Sequence, residues 1–106
     1  MRSFFPINGA TKSLAASSSS GSVPFDATSL PSGEFQVRVY NSGTDAAAIR
    51  FDVSGQTITF AGNVPIPGGA VEVITVTNPQ NAPITHAYAI TASGTPTLYF
   101  TPGHGI

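Results

Sequence analysis

The sequence predicts an all-β protein: a single β-sandwich, of jelly-roll or immunoglobulin-like type, with about seven to eight short antiparallel strands and an extended N-terminal arm. Three observations carry this expectation. Stretches of apolar–polar alternation recur along the chain, and clusters of Gly, Pro, Ser and Asn separate them. Helix-compatible stretches are cut by the 11 Gly and 9 Pro, and β-branched residues dominate what remains. The 106 residues suit one domain, and 41% apolar residues suffice for one core.

Residues 1–33 read as the arm, a Ser-rich segment and the first short strands. Residues 34–106 read as the main sandwich, one domain overall. In the arm, Phe4, Phe5 and Ile7 are apolar, while Pro6 and Asn8-Gly9 prevent a long regular element. Thr11 to Ala16 is a first strand. Ser17 to Ser22 is the one low-complexity tract, either a flexible loop or a Ser-rich edge strand ordered against a neighbour. Val23-Pro24-Phe25 is a short extended piece.

The clearest strand is Glu34 to Tyr40, with Phe35, Val37 and Val39 on one face and Glu34, Gln36, Arg38 and Tyr40 on the other. Asn41 to Asp45 is a loop, and Ala46 to Val53 returns with Ala47, Ile49, Phe51 and Val53 inward. Pairing Tyr40 with Ala46 as a hairpin opposes Val37 to Ile49 and Phe35 to Phe51, and Glu34 to Asp52 on the outer face with Arg50 diagonal to Glu34. Gln56 to Ala61 alternates again, with Ile58 and Phe60 inward. The prolines at 65 and 67 exclude Gly62 to Gly69 from a sheet centre.

Ala70 to Thr77 is apolar on both faces, Val71 and Val73 on one, Ile74 and Val76 on the other. This makes it the most interface-like strand, covered by the core and by either a neighbouring subunit or the arm. In the next strand Ile84, His86, Tyr88 and Ile90 oppose Thr85, Ala87, Ala89 and Thr91. In the last, Leu98 and Phe100 alternate with Thr97 and Tyr99.

Charge excludes several classes of function. Four Lys+Arg against five Asp+Glu, only 8% charged residues, leave no basic cluster for phosphates or anionic lipids, so neither a nucleic-acid nor a membrane partner is expected. No apolar run is long enough for a membrane-spanning helix. Pro6 and Asn8 interrupt the apolar stretch that follows Arg2, which makes a poor secretory signal. Near-zero net charge favours association, and the expected home of such a surface is an assembly.

Catalytic signatures are missing. With no cysteine there is no thiol nucleophile or thiolate metal site, and His86 and His104 fit no metal-ligand spacing. His86 reads as a half-buried strand residue and His104 as an exposed tail residue. No serine lies in a nucleophile-elbow or S-x-x-K motif, and the carboxylates fall mainly in turns or on outward positions. No enzyme activity, cofactor, metal or small-molecule substrate is expected. Tyr40, Tyr88 and Tyr99 are candidates for a carbohydrate-stacking platform or, alternatively, for strand-face packing and subunit contact.

Three segments carry a family resemblance: Val37-Arg38-Val39-Tyr40-Asn41-Ser42-Gly43-Thr44, then Pro65-Ile66-Pro67-Gly68-Gly69-Ala70-Val71-Glu72-Val73, and the ending from Ile90-Thr91-Ala92-Ser93-Gly94-Thr95 to Ile106. In this order they resemble a group of small tailed-bacteriophage virion proteins, over roughly residues 34–106. The resemblance implies a virion structural protein, above all a head decoration or cement protein on the outer shell, made in the host bacterial cytoplasm. Its implied partners are the major capsid protein and copies of itself, commonly as a homo-trimer. A neck, tail or fibre-attachment component is the alternative, and a free carbohydrate-binding sandwich a more distant one. The residues expected to bind partners are Phe4, Phe5, Ile7, Ile74 and Val76. The arm anchors Phe4, Phe5 and Ile7 lie either on a neighbour or back on their own sandwich, each Phe contributing about 1.5–3 kcal/mol if fully buried.

Overall fold

The structure, a computed structural model, describes residues 5–7, 9–25, 33–78 and 84–104. Its strands are β1 (Phe5–Pro6), β2 (Lys12–Ala15), β3 (Gly21–Pro24), β4 (Gly33–Asn41), β5 (Ala47–Asp52), β6 (Val64–Ile66), β7 (Val71–Asn78), β8 (His86–Thr91) and β9 (Thr97–His104). All pairings are antiparallel. One sheet runs β1-β9-β4-β7, with β2 sharing the β9 edge with β1, and the other runs β3-β8-β5-β6. With β2 to β9 counted, two four-stranded layers interleave in the order of a jelly roll.

The alternation read from the sequence builds the space between the layers. Phe35, Val37 and Val39 of β4 and Leu98 and Phe100 of β9 face Ala47 and Ile49 of β5 and Ala87 and Ala89 of β8. Aromatic rings bridge the sheets: Phe51 meets Phe100 edge-on at 6.0 Å and stacks on Phe25 at 6.2 Å, and Phe25 meets Phe35 edge-on at 6.4 Å. Ala16 and Phe25, from the segment read as preceding the main sandwich, belong to this same core.

The expected hairpin between β4 and β5 does not form. β4 pairs with β7 and β9, whereas β5 pairs with β6 and β8 in the opposite sheet. Two strands whose apolar faces meet across a sandwich have the same period-2 pattern as two strands side by side, so alternation could not separate the cases. The buried Asn41 turns the chain from one layer to the other. Its Nδ2 donates to the carbonyls of Asp45 (2.9 Å) and Ile66 (3.1 Å), and its Oδ1 accepts from the Gly43 N–H at 3.0 Å. The outer-face pairing of Glu34 with Asp52 falls with the hairpin. Asp52 instead meets Arg50, on its own strand, at 2.7 Å.

Gln56 to Ala61 is not a strand. Two of its N–H groups bond to side chains in place of a ladder: Gln56 to the Tyr88 hydroxyl (3.1 Å) and Ile58 to Ser20 Oγ (3.1 Å). Ile58 is buried as expected. Residues 64–66 do form a strand, and β6 carries Pro65 at the sheet edge, where a missing donor is tolerated. The Ser-rich tract is an ordered crossing between layers, since the Ser17 carbonyl accepts from the Thr91 N–H at 2.8 Å before β3 begins at Gly21. Of the arm, β1 pairs with Gly103 and His104, and the Ile7 N–H donates to the Pro102 carbonyl at 3.0 Å, so residues 5–7 lie along their own sheet.

Candidate docking face

The two outer faces of the sandwich differ. Over the β3-β8-β5-β6 sheet, the segment following β5 forms a roof. Tyr88 points outward from β8, yet it is buried, because its hydroxyl donates to the Val53 carbonyl and accepts from Gln56. Ala48, outward on β5, is also fully buried. The other sheet has no such roof among the described residues.

On that bare face, register places Tyr99 of β9 opposite Tyr40 of β4, and Tyr40 opposite Val71 of β7. These three remain 39%, 39% and 45% exposed and form one row across three strands. The tyrosine rings stack with centroids 6.0 Å apart and planes 20° apart. The next row is Thr101, Arg38 and Val73, and beyond β9 the Thr11 and Thr101 hydroxyls lie 2.9 Å apart. Thr11, Ser42 and Thr101 border a shallow hollow of about 460 Å³ over the tyrosines and Arg38. The hollow therefore combines apolar ring surface, one cation and hydroxyl groups, which suits contact with an uncharged or weakly acidic surface.

The residues expected to bind partners are distributed differently. Val76 is 6% exposed and belongs to the inter-sheet core, and Ile74 packs against that core from the same face. The outward apolar pair of β7 is Val71 and Val73. Residues at the sandwich edge alternate just as in its middle, and only pairing with β4 decides which set turns in. Ile7 is half-buried beside β9. Phe4 and the Phe5 side chain lie outside the described residues. His86 is half-buried on β8, with Nδ1 2.8 Å from Thr85 Oγ1 and its ring 6.2 Å from Tyr88. The His104 backbone pairs with Phe5. Among the described residues no three metal-ligating side chains cluster.

Of the three tyrosines expected as platform candidates, Tyr40 and Tyr99 share this face, whereas Tyr88 is buried on the other sheet. The adjacency of Tyr40 and Tyr99, and the roles of Arg38, Thr11 and Thr101 beside them, depend on β4 pairing with β9, a contact between distant parts of the chain. Comparison with protein-family models, curated proteins and solved structures gave no match.

Proposed function

We propose that this chain is a structural protein of a tailed-bacteriophage virion, a decoration or cement protein that binds the outer shell of the head and bridges capsid subunits. It docks through the bare sheet face, with the major capsid protein as its partner and further copies of itself alongside. The observation that carries the reading is the exposed Tyr99–Tyr40–Val71 row on the face that no other described residue roofs, in a weakly charged sandwich. The resemblance over residues 34–106 supplies the virion context. Jelly rolls recur in viral capsid subunits and also in lectins, so the fold alone does not select between them.

Quantitative mass spectrometry of purified virions tests the proposal. A copy number comparable with the major capsid protein supports decoration of the shell. A few copies per particle would move the protein to the neck or tail, and absence from the particle would end the virion reading. In a capsid-binding assay, Tyr40→Ser combined with Tyr99→Ser is expected to weaken attachment at least about tenfold.

A second reading, a free carbohydrate-binding module, is favoured by one specific observation: the stacked tyrosine pair sits beside Arg38 and the Thr11–Thr101 hydroxyls. Sugar C–H faces pack on such rings while hydroxyls and a guanidinium bond to the sugar rim. Retention on immobilised polysaccharide that is lost in the same double variant would favour this reading.

A further inference from the structure

A β-sheet edge offers unpaired backbone groups to any strand that approaches it, and proteins usually guard such edges with proline, lysine, breaks or short length. Among the described residues, three of the four sheet edges are guarded. β6 has three residues and carries Pro65, and β3 has four and ends in Pro24. The β1–β2 edge is interrupted between Pro6 and Lys12. β7 has eight residues, Val-Glu-Val-Ile-Thr-Val-Thr-Asn, with neither proline nor glycine and one ionisable side chain, Glu72. Among the described residues it pairs on one side only, with β4.

The direction of its free groups follows from β4. The Asn41 N–H donates to the Ala70 carbonyl at 3.0 Å, so the Asn41 backbone faces β7. Alternation then turns the backbones of Val39, Val37 and Phe35 to β7 as well, opposite Glu72, Ile74 and Val76. The N–H and C=O groups of Val71, Val73, Thr75 and Thr77 therefore point away from the sheet. Beside this edge, where the two layers part, Ile49, Phe51, Val64 and Ile74 line an apolar groove of about 520 Å³, with Val64 55% exposed.

We propose that β7 pairs with β7 of a second copy of this chain, antiparallel about a two-fold axis, joining the two five-stranded sheets into one continuous sheet. The strand matches itself. Free groups meet free groups only when the axis passes through a residue, and an axis through Ile74 keeps nearly the whole strand paired. Val73 then lies opposite Thr75 of the second copy and Val71 opposite Thr77, while Glu72 meets Val76 and not another carboxylate. The two Ile74 side chains come together on the groove side, so the same contact that satisfies the backbone also covers apolar surface. A three-fold ring, as the phage resemblance implies, would need β7 to join a different edge, and those edges are guarded. The proposal does not rest on the virion reading.

The test uses the purified full chain in sedimentation equilibrium over a dilution series, with amide hydrogen exchange on the dimer. A dimer is expected, with slowed exchange at the amides of Val71, Val73, Thr75 and Thr77. Thr75→Pro removes an outward-facing donor without touching the β4 ladder, and Thr75→Lys adds a charge on the exposed face. Each is expected to weaken the dimer at least about tenfold, whereas Ser54→Ala, in the exposed turn after β5 over the other sheet, leaves it intact. The proposal is overturned by a chain monomeric at every concentration, by a dimer indifferent to both Thr75 substitutions, or by a dimer whose outward β7 amides exchange freely. Should Thr75→Pro unfold the chain, Thr75→Lys and the exchange pattern decide alone.

Discussion

The Asn41 side chain donates to the Ile66 carbonyl at 3.1 Å and so ties the end of β4, in one layer, to β6 at the edge of the other. The same amide holds Asp45 and Gly43, and the loop from 41 to 46 is folded around it. A buried asparagine here works as a fastener between layers, because its one planar group supplies two donors and an acceptor in a space water does not enter.

Asn41→Ala is expected to lower stability by about 1–3 kcal/mol, since it strands groups that lose their partner on burial. Asn41→Asp is expected to cost more, because a carboxylate would face two carbonyl oxygens with no proton to offer. Its deficit should shrink as pH falls, because burial raises the folded-state pKa of that new carboxyl and protonation restores a donor. Urea unfolding of both variants at neutral and acidic pH gives the ranking.

Tyr88→Phe deletes one hydroxyl and leaves the Val53 carbonyl and the Gln56 N–H without their partner. The expected loss is about 1–2 kcal/mol, with the β-sheet circular dichroism unchanged. Amide exchange should accelerate at Gln56 and Ile58, where the roof is pinned, before it changes in β4.

How much of this was legible in the sequence depends on what each signal measures. Alternation located β4, β5, β7, β8 and β9 and chose Phe35, Val37, Val39, Leu98 and Phe100 for the core, because burial imposes a period of two on any strand with one inner face. The same signal failed at 41–46, where the partner strand lies across the core and not beside it. It also failed at Gln56 to Ala61, where Tyr88 and Ser20 replaced a neighbouring strand. The candidate face was visible only as three tyrosines, Tyr88 of the other sheet among them, since nothing in local sequence reports that residue 40 lies against residue 99.

Gly68→Ala is expected to disturb the layer crossing from a distance. A Cβ at Gly68 would collide with the backbone of Thr44, inside the loop that Asn41 organises. Gly55 (φ 82°) has no atom near its would-be Cβ, so Gly55→Ala meets only the left-handed backbone penalty, about 1–2 kcal/mol. Side-chain amide resonances of Asn41 should shift in the first variant and stay in place in the second.

Arg50→Ala is expected to change stability by less than about 1 kcal/mol, although its guanidinium lies 2.7 Å from Asp52. Arg50 is 46% exposed, and water and salt screen a pair in that position. A melting temperature that drops by more than a few degrees would show that the pair does more than cap the surface.

The order of strands has a consequence for how the chain is made. Only the β1–β2 and β5–β6 connections stay within one sheet; every other connection crosses between layers. β9, the last of the described strands to leave the ribosome, lies between β2 and β4. Until residues 97–104 emerge, the first-made strands have no neighbour to close against, and β3 likewise waits for β8. The growing chain therefore gains little from folding before β9 is available, and closure of the sandwich is a late, concerted and slow event. A ribosome that stalls before β9 leaves two sticky edges exposed, and such a fragment is a target for chaperones and proteases.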